Sequence, residues 1–87
     1  MSEYTVVYLQ SVVWEDIPEL PRAAKKDIKL AIEKKLKVNP IAFGKPLQYS
    51  LKNNRRLRVG DYRVIFTLDE GRKVVTITKI GDRKDVY

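Results

Sequence analysis

The chain has 87 residues and a formal net charge of +7, from 18 Lys and Arg against 11 Asp and Glu; that length holds one small domain, residues 1–87, and leaves no room for a second. It has no cysteine and no histidine, which excludes a disulfide framework, a thiolate nucleophile, a Cys/His zinc site and an imidazole base. It also shows no repeat, no apolar run of the ~20 residues a membrane helix needs, and no basic-then-apolar leader in Met1 to Gln10, so the expected compartment is the cytoplasm.

Tyr4 to Leu9 is rich in β-branched and aromatic residues and reads as a strand, half-buried or central. Ser11 offers an N-cap for a short helix through Val12, Val13, Trp14 and Ile17 that stops or kinks at Pro18. Pro21 suits the first turn of a second helix, about Pro21 to Lys37, with Ala24, Ile28, Ala31, Ile32 and Leu36 forming one apolar stripe. Its other side carries Lys26, Lys29, Lys34 and Lys37, a solvated face, together with Leu30. Asn39-Pro40 ends that helix, and Ile41 to Asn54, with Gly44, Pro46 and Asn53-Asn54, reads as a loop.

Charge is distributed unevenly along this order. The first 19 residues carry four acidic groups and no basic ones, whereas residues 20–63 carry thirteen basic and three acidic. A positive block of that kind favours encounter with polyanions and makes their binding sensitive to salt.

The block culminates in Arg55-Arg56-Leu57-Arg58-Val59-Gly60-Asp61-Tyr62-Arg63. Period-two apolar residues, Leu57 and Val59 on one side and Tyr62, Val64, Phe66 and Leu68 on the other, bracket Gly60-Asp61 as a two-residue hairpin loop, with glycine supplying positive φ. Val59 then faces Tyr62, Arg58 faces Arg63, Leu57 faces Val64 and Arg56 faces Ile65, so Arg56, Arg58 and Arg63 share one face and Arg55 turns to the other. Arginines on a solvated sheet face are one reading. Like charges directly across a strand pair repel, so Arg58 against Arg63 favours the other: a face kept for an anionic ligand, phosphate above all.

Asp69-Glu70-Gly71-Arg72 reads as the next turn. If Glu70-Gly71 centres it, Val75 faces Phe66 and Ile77 faces Val64 on the core side, while Thr76 and Thr78 join Arg63. Tyr4, Tyr8, Trp14 and Phe66 are expected to pack, Tyr62 to lie on the core side, and Tyr87 either to pack or to contact a ligand. The fold class is α+β, in β-α-α-β-β-β order: a mainly antiparallel sheet with a helical hairpin packed on one face and the arginines left open on the other.

Three segments, Pro46-Leu47, Arg56 to Phe66 and Ile80-Gly81-Asp82-Arg83-Lys84-Asp85-Val86-Tyr87, resemble the RelE/ParE superfamily of bacterial and archaeal toxins from type II toxin-antitoxin pairs, over nearly the whole chain and closest in pattern to the RelE branch. The resemblance implies a RelE-like fold, a cognate antitoxin as partner, and action on mRNA in the ribosomal A site as a metal-free, cofactor-free endoribonuclease. Carried over by position, Arg63 contacts the scissile phosphate, and Arg56 stands where the RelE branch often has a lysine that activates the 2′-hydroxyl. Arg58 holds a neighbouring phosphate, Arg83 stabilises or protonates the leaving group, and Tyr87 stacks on or orients the nucleotide. Lys52 and Lys84 are RNA-binding candidates, and either stands as an alternative proton acceptor. Asp82 replaces the histidine that many ribosome-dependent relatives carry before the tail arginine. Two other outcomes stay open: a ParE-like inhibitor of DNA gyrase without nuclease activity, and a non-catalytic basic RNA-binding module.

Overall fold

The computed structural model describes residues 3–46 and 54–82. Five strands, β1 (Thr5–Tyr8), β2 (Lys45–Pro46), β3 (Asn54–Val59), β4 (Tyr62–Asp69) and β5 (Val74–Asp82), form one sheet in the order β1-β5-β4-β3-β2. Every neighbouring pair is antiparallel except β1 with β5, which is parallel. The mixed α+β architecture matches the expected one. It adds β2 and a one-turn helix, α2 (Pro40–Phe43), inside the segment expected to be loop. Asn39 thus opens a helix: its side-chain oxygen accepts from the Ala42 amide at 3.2 Å.

The chain first enters helix two residues earlier than expected, at Gln10. Ser11 is itself helical, with φ −59 and ψ −35, and its side chain caps nothing; the Leu9 carbonyl instead accepts from the Val12 and Val13 amides. A π-type turn, Val12–Asp16, and a 3₁₀ turn, Ile17–Glu19, follow. Only Val12 and Asp16 are buried in the π-type turn, so Trp14 points outward and is 74% exposed, contrary to the expected packing role. Val7 is exposed and Tyr8 is only partly covered, because β1 is an edge strand and not a central one.

The long helix forms as read: α1 (Arg22–Ala31) runs straight into a π-type turn, Ile32–Leu36. Ala24, Ile28, Ile32 and Leu36, spaced by four, are buried against Leu57, Val64, Phe66, Val75, Ile77 and Ile80 of the sheet, with Tyr62 packed at the margin. Gly44 sits where the backbone passes the Phe66 ring, and a Cβ there would overlap that ring. Arg55, on this same side, donates from Nη1 to the Gly44 carbonyl at 2.9 Å and so joins the α2–β2 segment to β3.

The register of the first hairpin is the expected one in every pair, Val59 with Tyr62 through Arg56 with Ile65. Gly60 has φ +59 and is, with Lys73, one of two positive-φ residues among those described, the pattern of a loop with glycine first. The second hairpin differs. Its loop has four residues, Glu70 to Lys73, with Lys73 at φ 58 and the Asp69 carboxylate accepting from the Arg72 amide at 3.0 Å. Val75 therefore faces Leu68, and Ile77 faces Phe66. A shift of two residues leaves both on the core side.

Farther along, a β-bulge at Ile65/Phe66 shifts the pairing by one: Ile65 faces Lys79, Val64 faces Ile80, and Thr78 is the extra residue. Thr78 accordingly has no place opposite the arginines; its hydroxyl donates to the Ile65 carbonyl at 3.2 Å. β1 ends opposite Ile77, and beyond it Asp16 takes over the β5 edge. One carboxylate oxygen accepts from the buried Ile80 amide at 2.9 Å, the other from Lys79 Nζ at 3.1 Å.

Candidate nucleic-acid interface

The sheet face away from the helices is built by strand parity. In β3 the side chains of Leu57 and Val59 go to the core, so those of Arg56 and Arg58 go outward; in β4, Tyr62 and Val64 go inward, so Arg63 goes outward. Arg58 is exposed, and Arg56 and Arg63 are half-buried. Arg58 and Arg63 lie directly opposite one another, at the ~4.5–5.5 Å Cβ separation of such pairs. On the other side of Arg63 stands Gly81, which adds no side chain to the face.

One row farther along, Lys45, Arg56, Ile65 and Lys79 form a line across β2, β3, β4 and β5. The lysines at its ends are exposed, whereas Ile65 is 6% exposed. Among the described residues five cations therefore share the face: Lys45, Arg56, Arg58, Arg63 and Lys79. With strands 4.7–4.9 Å apart, the line from Lys45 to Lys79 crosses about 14 Å. Beyond the bulge the face turns neutral, with Asn54, Thr67, Thr76 and Val7 in register.

Sequence reasoning placed Arg56, Arg58 and Arg63 together and missed Lys45 and Lys79. Lys45 lay in a segment without periodicity. Lys79 has core parity if alternation continues from Val75 and Ile77; the three-residue step from Ile77 to Ile80 was the available signal that a bulge intervenes. Arg83, Tyr87, Lys52 and Lys84 lie outside the described residues. Among the described residues no group of three or more His, Cys, Asp or Glu is arranged to hold a metal ion, and no helix is long and apolar enough to cross a membrane.

On the opposite side of the molecule an apolar groove of about 400 Å³ runs between the first helical turns and α1, lined by Val13, Ile17, Leu20, Ile28, Ile32 and Ile80 with Lys25 and Lys29 at its margin. Tyr8 borders it, and burial together with the nearby Glu33 carboxylate raises its phenol above the ordinary value of 10.0.

Comparison with known proteins agrees with this architecture. The model of the ParE toxin family of type II toxin-antitoxin systems matches residues 12–87. Toxin RelE of Mycobacterium tuberculosis is 41% identical over 49 residues, which are 56% of this chain and 50% of that protein; toxin RelG of the same organism is 33% identical over 48 residues, 55% of each. The chain thus matches about half the length of these curated relatives. Among solved structures, the RelBE2 toxin-antitoxin complex of M. tuberculosis superposes with a TM-score of 0.86 at 27% identity, covering 98% of this chain and 97% of that one. The archaeal RelE-RelB complex of Pyrococcus horikoshii gives 0.68 at 27% identity, covering 95% and 98%. A family match over residues 12–87, joined to the fold shared with the RelBE2 toxin, leaves one conclusion: the chain belongs to the RelE/ParE superfamily, as a toxin of the type II toxin-antitoxin kind.

Proposed function

We propose that this toxin is a ribosome-dependent mRNA endonuclease that stops translation by cleaving mRNA in the ribosomal A site. The observation that carries the reading is the convergence of Arg56, Arg58 and Arg63 on the sheet face away from the helices, with Arg58 directly opposite Arg63. RNA brings its own nucleophile. The 2′-hydroxyl passes its proton to a lysine amine, Lys52 or Lys84, and attacks the adjacent phosphorus; the P–O5′ bond breaks, the leaving 5′-oxygen takes up a proton from solvent, and the products are a 2′,3′-cyclic phosphate and a 5′-hydroxyl. Arg63 binds the scissile phosphate and offsets the charge of the pentacovalent state, and Arg58, directly across from it, holds the next phosphate. Arg56 orients the 2′-hydroxyl; its guanidinium, with a pKa above ~12, supports charge better than it accepts a proton. Arg83 serves the leaving oxygen, Tyr87 stacks on the base, and Lys52 and Lys84 extend the RNA contacts. The chemistry requires no cofactor, and its site of action is the cytoplasm.

The partner is a cognate antitoxin, as in the RelB-bound relatives. An acidic, amphipathic segment suits it: acidic groups against the five-cation face, apolar groups in the groove flanked by Lys25 and Lys29. The test is induced expression of the wild type beside Arg63→Ala, with growth and mRNA 5′ ends measured together. Arrest with new 5′ ends, both lost in Arg63→Ala, supports the reading; arrest without new ends overturns it. The family model's ParE description favours a second reading, inhibition of DNA gyrase, which loss of supercoiling activity in a purified gyrase assay would support.

A further inference from the structure

Resting on the endonuclease reading, we propose that Lys79 is a further RNA phosphate contact, that Lys45 is its counterpart at the other end of the same row, and that Asp16 competes with RNA for the Lys79 ammonium. Neither lysine belongs to the arginine cluster that the hairpin builds. Both are placed beside it by register alone: Lys45 directly opposite Arg56, Lys79 directly opposite Ile65 and diagonal to Arg63. A diagonal pair on one sheet face is about 7–8 Å apart, within reach of long side chains. A single strand crossing the β-strands along this row meets Lys45, Arg56 and Lys79 in turn, with Arg58 and Arg63 alongside.

Lys79 is held in a particular way. Its side chain is 50% exposed, whereas that of Asp16, its partner at 3.1 Å, is 8% exposed. The two carboxylate oxygens divide their work: one accepts from the Ile80 amide, the other from Lys79. When the ammonium moves to a phosphate, Asp16 keeps the backbone bond, and the strand edge stays capped. The ammonium end of the pair is half in solvent, so Lys79 exchanges Asp16 for phosphate without leaving the surface. Asp16 is the one charged group buried among the described residues, and its position behind Lys79 sets how much of that cation the RNA obtains.

The experiment measures binding of full-length protein to a short single-stranded RNA made uncleavable by 2′-O-methylation, as a function of salt. Each phosphate contact in a single strand contributes about 0.7 to the slope of log affinity against log salt. Lys45→Gln and Lys79→Gln are each expected to lower the slope by about 0.7, so that affinity falls roughly 2.6-fold less between 50 and 200 mM salt. Lys26→Gln and Lys34→Gln, on the helical side, leave it unchanged. Asp16→Asn, whose amide oxygen still accepts from Ile80, is expected to tighten binding in the wild-type background and not in Lys79→Gln; a merely structural ion pair, or a generic charge effect, gives the same change in both. Circular dichroism confirms folding of each variant. Unchanged slopes in Lys45→Gln and Lys79→Gln, with Arg63→Ala still lowering the slope, overturn this inference alone. Wild-type protein that binds no RNA and leaves mRNA 5′ ends unchanged overturns the endonuclease reading with it.

Discussion

Replacing Asp16 by alanine removes two hydrogen bonds of unequal worth, and their difference tests how the far half of β5 is held. The bond to the Ile80 amide is charged, buried and 2.9 Å long; such bonds contribute about 1.5–3 kcal/mol, and their loss strands a buried donor. The bond to Lys79 joins a half-exposed ammonium and is worth about 0–1 kcal/mol. Asp16→Ala should therefore cost about 2–3 kcal/mol, a large share of the 5–15 kcal/mol that small domains possess, and lower Tm by roughly 10–20 °C for a chain of this size. Asp16→Asn keeps an acceptor for Ile80 and should cost about 1 kcal/mol; Lys79→Ala should cost less than about 1 kcal/mol. Urea unfolding followed by circular dichroism gives all three values. If Lys79→Ala proves as damaging as Asp16→Ala, the ion pair and not the edge cap holds the strand, and the reasoning fails.

Gly44→Ala drives a methyl group into the Phe66 ring and to within 2.8 Å of the Pro40 carbonyl oxygen, so a loss of about 1–3 kcal/mol is expected in the same unfolding assay. Arg55→Ala and Arg63→Ala should separate stability from function: the former loses the Gly44 contact and about 1–2 kcal/mol while mRNA cleavage survives, whereas the latter abolishes cleavage with less effect on the melt. Tyr8 titrates late because burial, and then Glu33, disfavour the phenolate. With its folded pKa raised above the unfolded value of about 10, its stabilising contribution is complete below pH 10 and lost as pH rises through the folded value. Glu33→Gln should move the Tyr8 transition downward in an ultraviolet titration, and Tyr8→Phe should delete that transition.

The parts of the molecule that were legible in the sequence are those where one local rule decides. The stripe Ala24, Ile28, Ile32, Leu36 has a single period, and Gly60-Asp61 allows a single loop length, so Arg56, Arg58 and Arg63 fell on one face without ambiguity. Where two rules compete, the reading slipped. Glu70-Gly71 resembles a two-residue loop, yet Asp69 wraps its carboxylate onto Arg72 and Lys73 takes the positive φ, which lengthens the loop by two. Trp14 resembles a core residue by type; the π-type turn gives its inward positions to Val12 and Asp16 instead. Lys45 and Lys79 were invisible because each owes its place to tertiary pairing: the former to a two-residue strand docked on β3, the latter to a bulge.

That bulge decides which side chains meet the ligand, and a deletion tests it. Phe66 pairs with Ile77 and Ile65 with Lys79, so Thr78 is surplus to the ladder. Deleting Thr78 leaves Lys79 opposite Ile65 and Ile80 opposite Val64, each on its present face, with the Ile80 amide still turned toward Asp16. The losses are the hydroxyl bond to the Ile65 carbonyl and the local twist of the bulge, together about 1–3 kcal/mol. Deleting Thr76, only two residues earlier, is a different perturbation. With Val75 and Lys79 held in register, Ile77 moves opposite Thr67 on the outer face and Thr78 takes its place opposite Phe66 in the core. A buried isoleucine is lost and an unpaired hydroxyl enters, about 4 kcal/mol or more in all. Comparison of the two deletions by urea unfolding should give a folded protein for the first and an unfolded one for the second. The reverse order would mean that Thr78 belongs to the ladder, and Lys79 would then have no claim to the arginine face.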